Sequence, residues 1–496
     1  MHSVHILPMH MVIGIDGGTW SSFDQFSEKM PFLSSMKAKG CRGVLRSVMP
    51  TGSAAAWTSF ATGKNPGKHG IISWEIKPFS EKIAGTGDIR EMEIWDIISS
   101  NGLRVGVMCP PISFPPKHVN GFYVSGIGRP SINENMILPE EDAARARDML
   151  EDMNTIEYMK ENGRDATREK IAAMTVKKTD FFIEMMRKYS PEFGFILLDE
   201  NDRFQHFFWD DPEALGDYYS VLDASLQKIY DEFPSANFFI ISDHGFHAAP
   251  KKYFHINTWL MENGYIKVGL FERIKILLYP LGKKLLGWLA KEGEVPAWMK
   301  RFVPHQENII KNIQEKPDFL GFNNFSLFVR NKEHIIEIRD KLKLVLDQGI
   351  PVFREVNIKT EAYTGALADN MPEIVFLMNE NYAINTNFST SIISPAGTAV
   401  WKGYHTFAPE GIMLCFGPDI KESMHLDASI MDIAPTILHN MEVPVPRDCD
   451  GKVLYDMLKE NKQTRYFDSL KPEGSTDMEK GEEELVKKKL RDLGYM

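Results

Sequence analysis

Short apolar runs that break off into polar residues recur along this chain, and their rhythm predicts its architecture. Met11 to Ile15 is continuously apolar and ends at Asp16-Gly17-Gly18, which reads as a buried strand followed by a turn. The same form returns at Gly43 to Ser47, Arg104 to Met108, Phe122 to Val124, Phe193 to Leu198, Asn237 to Ile241 and Gly411 to Phe416. Between these runs, helical patterns occupy Gln25 to Lys39, Glu91 to Ser100, Pro139 to Asp152, Arg168 to Lys188, Val221 to Phe233 and Asp432 to Asn440. Apolar strands alternating with helices predict an α/β fold. Its central sheet is mainly parallel, with helices on both faces.

From about residue 250 to 400 the rhythm changes. Ile274, Leu277, Leu278, Leu281, Leu285, Trp288 and Leu289 fall at helical spacing, with Arg273, Lys275, Lys283 and Lys284 between them. This run is too charged to span a bilayer. A helix pair packing over the active site is expected, and a basic amphipathic segment touching a membrane surface is the alternative. Phe325 to Val329, a helix from Glu333 to Leu346 and a strand from Glu373 to Met378 suggest a small α+β subdomain. The expected organisation is a core in two parts, 1–250 and 401–458, with an inserted helical and α+β cap subdomain at 251–400. A charged tail at 459–496 has few apolar positions and is expected to be a solvated, partly disordered helix.

Composition narrows the partners. Hydrophobic residues make up 43% and charged residues 25%, ordinary for a soluble globular chain with ample core. Lys plus Arg total 57 against 68 for Asp plus Glu, a net charge of -11. No global basic field exists to attract nucleic acid, so none is expected as a partner. Cys41, Cys109, Cys415 and Cys449 are far apart and form no Cys-x-x-Cys pair, so reduced thiols are expected rather than a zinc-thiolate site. The first residues lack a basic stretch followed by an apolar core and cleavage site, and a cytoplasmic location is expected.

Candidate chemistry gathers where the strands end. Ser53 stands immediately before the helix-forming run Ala54 to Ala61. A hydroxyl there meets free N–H groups and the positive end of the helix dipole, which suits a nucleophile that must carry a phosphoryl group. A simple N-cap serine is the competing reading. Strand-like runs also deliver Asp16, Asp202, His206, Asp243 and His244, and His405 precedes another. Carboxylates and imidazoles without thiolates suit zinc or manganese at a catalytic centre. Asp202 and His206 are four apart and share a face on a helical turn. His69 reads as a hydrogen-bonded loop residue, Trp57 as core, His247 as an outer residue of the pocket and Arg203 as a candidate phosphate ligand.

The order of these residues resembles the alkaline phosphatase superfamily, specifically its type I phosphodiesterase/nucleotide pyrophosphatase family. The matching stretches are Ile15-Asp16-Gly17, Ser53 through Ala61-Thr62-Gly63, Asn65-Pro66-Gly67-Lys68-His69-Gly70, Asp202-Arg203-Phe204-Gln205-His206, Ser242-Asp243-His244-Gly245, Gly403-Tyr404-His405 and Asp432-Ile433-Ala434-Pro435-Thr436. The resemblance implies two divalent ions, zinc first and manganese second. Asp202, His206 and His405 would hold one; Asp16, Asp243 and His244 would hold the other, with Ser53 bridging to it. It implies a metal-dependent hydrolase of small-molecule phosphate esters acting through a covalent phosphoseryl intermediate. A phosphotransferase with an alcohol acceptor and a phosphomonoesterase are the alternatives, and the oligomeric state is left open. The chain departs from the family in carrying Ser53 where nucleotide-hydrolysing members usually have Thr, and Ala56 where they have Asn. It also lacks the Pro and Arg that follow the nucleophile in sulfatases.

Overall fold

The computed structural model describes residues 8–75, 82–130, 134–269, 273–274, 320–323, 326–329, 331–397, 401–405, 407–469, 478 and 480–493. The amphipathic run beginning at Ile274 otherwise lies outside the described residues. The chain divides into two compact units: Met1–Ala248 with Tyr363–Met371 and Val400–Met496, and Ala249–Ala362 with Pro372–Ala399.

The first unit is built on a ten-stranded sheet. Its strands lie in the order Met424–His425, Cys41–Arg46, Glu410–Phe416, Asn237–Ile241, His10–Ile15, Phe193–Leu198, Val105–Met108, Gly121–Val124 and Ile137–Leu138, with Ala428–Ser429 also pairing Cys41–Arg46. The central strands are parallel; Glu410–Phe416 and the edge strand Ile137–Leu138 run against their neighbours. This is the α/β fold that the alternating pattern predicts. The strands are apolar in unbroken runs because both faces are covered. Met11, Ile13 and Ile15 pack into one hydrophobic core with the helices Thr155–Tyr189 and Pro212–Glu232. Val12, on the other face, joins a second core with the helices Ser53–Thr62, Ile94–Ser100 and Ile433–Asn440. A two-residue side-chain period therefore sends Val12, Gly14 and Asp16 toward the helix that begins at Ser53.

Three expectations need correction. Gln25 to Lys39 is not one helix: it divides into Trp20–Gln25, a single 3₁₀ turn at Ser27–Lys29, and Pro31–Lys39. Pro31 supplies no N–H and starts a new helix at its first position. The segment Tyr363–Met371, assigned from sequence to the insertion, clusters with the first unit. There the Thr364 N–H donates to Asn65 Oδ1 at 3.2 Å, and the Leu367 N–H donates to the Gly67 carbonyl at 2.9 Å.

The third correction concerns the tail. Residues Lys480–Leu493 form a helix that is docked rather than solvated. Val486 and Leu490 are fully buried among Ala54, Ile71, Trp74, Ile83, Ile89, Ile112 and Ile127. Glu483 accepts the Ile83 N–H at 2.7 Å, and Lys489 pairs with Asp152 at 2.5 Å. Two buried apolar residues one turn apart anchor a helix whose other positions are mostly charged.

The second unit contains a four-stranded antiparallel sheet in the order Leu320–Asn323, Ser326–Val329, Ile374–Met378 and Phe353–Ile358. The helix Ile335–Lys343 buries Ile338 and Leu342 in this unit. A three-stranded sheet joins Tyr382–Asn385, Lys252–His255 and Ile393–Pro395.

Leu490→Ala is expected to destabilise the first unit by about 2–5 kcal/mol, the usual cost of emptying a buried leucine site. Chemical denaturation reads this directly; a solvated tail would give no change.

Candidate active site

The carboxyl ends of adjacent parallel strands bring the candidate residues together. His10–Ile15 leads into Asp16, and Asn237–Ile241 leads into Ser242-Asp243-His244. Phe193–Leu198 leads into a helix, Glu200–Phe208, which carries Asp202 and His206 one turn apart. Open α/β sheets place ligands at these strand ends. Glu410–Phe416 runs the other way, so the residues before it arrive at the same edge, and among them is His405.

Two clusters result. Asp202, His206 and His405 offer one ligand atom each, and so do Asp16, Asp243 and His244; within each cluster these atoms lie within 4.8 Å of one another. In the first, His206 Nε2 is 3.3 Å and His405 Nε2 is 3.9 Å from the Asp202 carboxylate. In the second, His244 Nε2 is 3.1 Å from Asp243 Oδ2 and 3.5 Å from Asp16 Oδ1. The clusters adjoin, since the His244 and His405 rings stack with centroids 4.1 Å apart.

The imidazoles are oriented from behind. His206 Nδ1–H donates to the Gly403 carbonyl at 2.8 Å, and His244 Nδ1–H donates to the Gly245 carbonyl at 3.0 Å. Each Nε2 lone pair is thereby turned toward carboxylate oxygens. Lone pairs facing lone pairs at this range repel unless a cation lies between them. Oδ2 of Asp243 and Nδ1 of His405 are also buried without a hydrogen-bond donor or acceptor among the described residues.

The electrostatics agree. Burial pushes the Asp16 carboxyl well above its usual range, and the charges of Asp243, Asp202 and Asp199 add to the effect. Burial also raises Asp243, with His244 opposing. At Asp202 burial works upward too, but His206, His405 and His244 outweigh it and hold that carboxyl low. Burial drives His405 far down, reinforced by His244. Two buried carboxylates that resist ionising alone, Asp16 and Asp243, and one held ionised by its imidazoles, Asp202, fit divalent cations among them.

Ser53 does not cap its helix. Gly52 is the N-cap residue, and Ser53 is the first helical residue. Its Oγ lies 3.3 Å from Asp16 Oδ1 and 3.3 Å from His244 Nε2. The first turn leaves the N–H groups of Ser53, Ala54 and Ala55 ahead of the first intrahelical bond, Ala56 N–H to the Gly52 carbonyl at 2.9 Å.

Other candidates are not brought in. Arg203 pairs with Asp199 at 3.3 Å and lines a separate cavity of about 20 Å³ with Lys178, Glu200 and Arg129, so it does not reach the clusters as a phosphate ligand. His247 stacks on Phe407 at 5.6 Å in the short strand His247–Ala248. His69 is buried; it accepts the Ile71 N–H at Nδ1 and donates from Nε2 to Ser59 Oγ at 2.8 Å.

Several residues that hold the Asp16 loop carry no chemistry readable in sequence. Asn201 Nδ2 donates to the Asp16 carbonyl at 2.7 Å, and Gln205 Nε2 donates to the Gly17 carbonyl at 2.9 Å. Gly17 N–H donates to Asp243 Oδ1, and Gly18 N–H to Ser242 Oγ. Gly17 adopts φ 69, which glycine reaches without strain. Trp57 Nε1–H donates to Asp16 Oδ2 at 3.2 Å. The available signal was position: Asn201 and Gln205 sit on the Asp202 helix, and Trp57 sits one turn after Ser53.

Paired carboxylate–imidazole clusters beside a helix-terminal hydroxyl, at the edge of a mostly parallel sheet, define a phosphoric ester hydrolase of alkaline phosphatase-like fold. The sequence profile of the type I phosphodiesterase/nucleotide pyrophosphatase family matches residues 10–406, a span that includes both clusters and Ser53. The chain belongs to that family, which hydrolyses small phosphate esters and typically depends on divalent metal ions. Murine ectonucleotide pyrophosphatase/phosphodiesterase 5 shares the fold with a TM-score of 0.54 at 15% identity, covering 91% of this chain and 100% of that one. One of these structures is an inactive variant in complex with AMP. The human protein of the same name gives a TM-score of 0.53 at 13% identity, with the same coverage. No curated protein sequence matches the chain.

The His69 ring gives a pH prediction. Burial pushes it down from 6.5 to about 3. The unfolded chain therefore binds a proton below about pH 6.5 that the folded chain refuses. The stability His69 provides is complete above that pH and is lost as the pH falls toward 3, by an amount on the order of a few kcal/mol. His69→Gln is expected to flatten the fall in urea midpoint between pH 6.5 and 4. The slope that stays belongs to groups such as His10, which burial lowers to about 4.

Proposed function

We propose that the chain cleaves phosphate esters, foremost phosphodiesters, through a covalent phosphoseryl intermediate on Ser53. Zinc is the proposed ion at both clusters, with manganese next. The observation that carries the reading is the placement of Ser53 Oγ, 3.3 Å from both Asp16 and His244 at the start of a helix.

Asp202, His206 and His405 would hold one ion, and Asp16, Asp243, His244 and Ser53 the other. When bound, two divalent ions supply Lewis acidity, acidifying the hydroxyl and neutralising charge on the phosphoryl and departing oxygens. The donor charges suit that load: three carboxylates and a serine alkoxide sum to -4, against +4 for two divalent ions. Ser53 Oγ, its proton lost, attacks phosphorus while the N–H groups of the first helical turn attract the phosphoryl oxygens. The bond from phosphorus to the leaving oxygen breaks, and that oxygen departs as the alcohol. Water then displaces Ser53 from phosphorus, and the serine oxygen regains a proton. Two in-line displacements invert phosphorus twice, giving net retention.

Ser53→Ala is expected to lower turnover by several orders of magnitude while metal content, read by elemental mass spectrometry, stays at the wild-type level. Unchanged turnover would reduce Ser53 to a structural residue. Chelation is expected to silence the enzyme, and added zinc or manganese to restore it; an activity indifferent to chelator would overturn the reading. Aryl phosphate monoesters and diesters assayed side by side test the substrate class, and a monoester preference would make the protein a phosphomonoesterase.

A further inference from the structure

Gly14 is the residue without a side chain in the strand His10–Ile15, deep in the sheet and directly beside the site. A Cβ there would lie 2.5 Å from Cη2 of Trp57 and 2.9 Å from Cδ1 of Leu197. The gap left by glycine is filled by the indole ring. Trp57 is 1% exposed, edge-on to Phe60 and Phe195. In that position its single polar atom, which can donate but not accept, meets Asp16 Oδ2 at 3.2 Å. The other oxygen, Oδ1, faces Ser53 Oγ and His244 Nε2. One helix thus grips the same carboxylate at both oxygens: Ser53 from its first residue, and Trp57 from one turn on.

We propose that Trp57 is a positioning residue: its indole N–H fixes the Asp16 carboxylate so that Oδ1 points at Ser53 and at the cation shared with Asp243 and His244. The proposal rests on the reading of the site given above. A carboxylate turns easily about its last side-chain torsion, which is broad and two-fold. Without a donor on Oδ2, a buried Asp16 samples orientations that withdraw Oδ1 from its ion. Outer partners of this kind typically govern about 10–100-fold in metal affinity or activity. Gly14 is part of the same device, because any side chain there displaces the ring that carries the donor.

The test is competition for zinc between the metal-stripped full-length protein and a chromophoric chelator, with steady-state kinetics on an aryl phosphate diester. Trp57→Phe keeps an aromatic ring and removes the N–H. It is expected to bind one of two zinc ions about 10–100-fold more weakly, the other unchanged, with kcat reduced and KM nearly constant. Gly14→Ala is expected to shift the same ion in the same direction. Ile98→Val, a packing change in the same core on the helix Ile94–Ser100, is expected to lower thermal stability and leave both zinc affinities at wild type. Superimposable zinc curves for Trp57→Phe and wild type overturn the proposal, as does an equal weakening by Ile98→Val. If Trp57→Phe does not fold, 3-benzothienylalanine at position 57 replaces the N–H by sulfur in the same shape, and wild-type zinc binding there overturns it equally. A wild-type protein that binds no zinc defeats the site reading itself, a result separate from any of these.

Discussion

Three carboxylates from distant parts of the chain are buried in two adjoining clusters, and the rest of the first unit is arranged to make that tolerable. Like charges in a dry pocket repel strongly, and isolated burial would leave each carboxyl protonated. Here imidazoles stand between them, backbone N–H groups serve Asp243, and an indole serves Asp16. The residual mismatch is negative, which suits the centre to cations. The fold contributes rigidity: strand ends in a sheet buried on both faces cannot drift apart to relieve the repulsion.

The helix Ser53–Thr62 illustrates how one element serves several requirements. Its first turn supplies a hydroxyl and free N–H groups, its second the donor to Asp16, and its outer surface packs against Ile433–Asn440. All of its residues are buried, so its composition of Ala, Trp, Phe and small hydroxyl residues reflects space as much as helix propensity. Thr58 and Thr62 return their hydroxyls to carbonyls one turn back, which satisfies polar groups that have no water to meet.

Much of this was legible before any coordinates. The sheet was readable because strands buried on both faces must be written as apolar runs; polar residues directly after such runs, costly unless used, only hinted at candidate ligands, and the resemblance to the type I phosphodiesterase family grouped them into two sets. Asp16, Asp202 and Asp243 announce themselves in that way, and the geometry brings them together with His206, His244 and His405. What sequence could not supply were contacts that depend on packing. Trp57 looks like any core aromatic until the missing side chain of Gly14 is seen to admit it. Val486 and Leu490 sit with Leu485 and Leu493 in a mostly charged run, and nothing in its periodicity marks which of them dock. Arg203 stands next to Asp202 in the chain, yet a helix turns neighbouring residues about 100° apart, and it faces a different set of partners.

The reversed strand Glu410–Phe416 has a consequence for biosynthesis. Because His405 reaches the centre only when this strand threads between Cys41–Arg46 and Asn237–Ile241, the set of candidate side chains stays incomplete while the ribosome is still making the earlier parts of the chain. A nascent protein exposes Asp16 and Ser53 first and acquires its last imidazole some four hundred residues later. Convergence of the six candidate side chains is thereby deferred until the core is nearly whole.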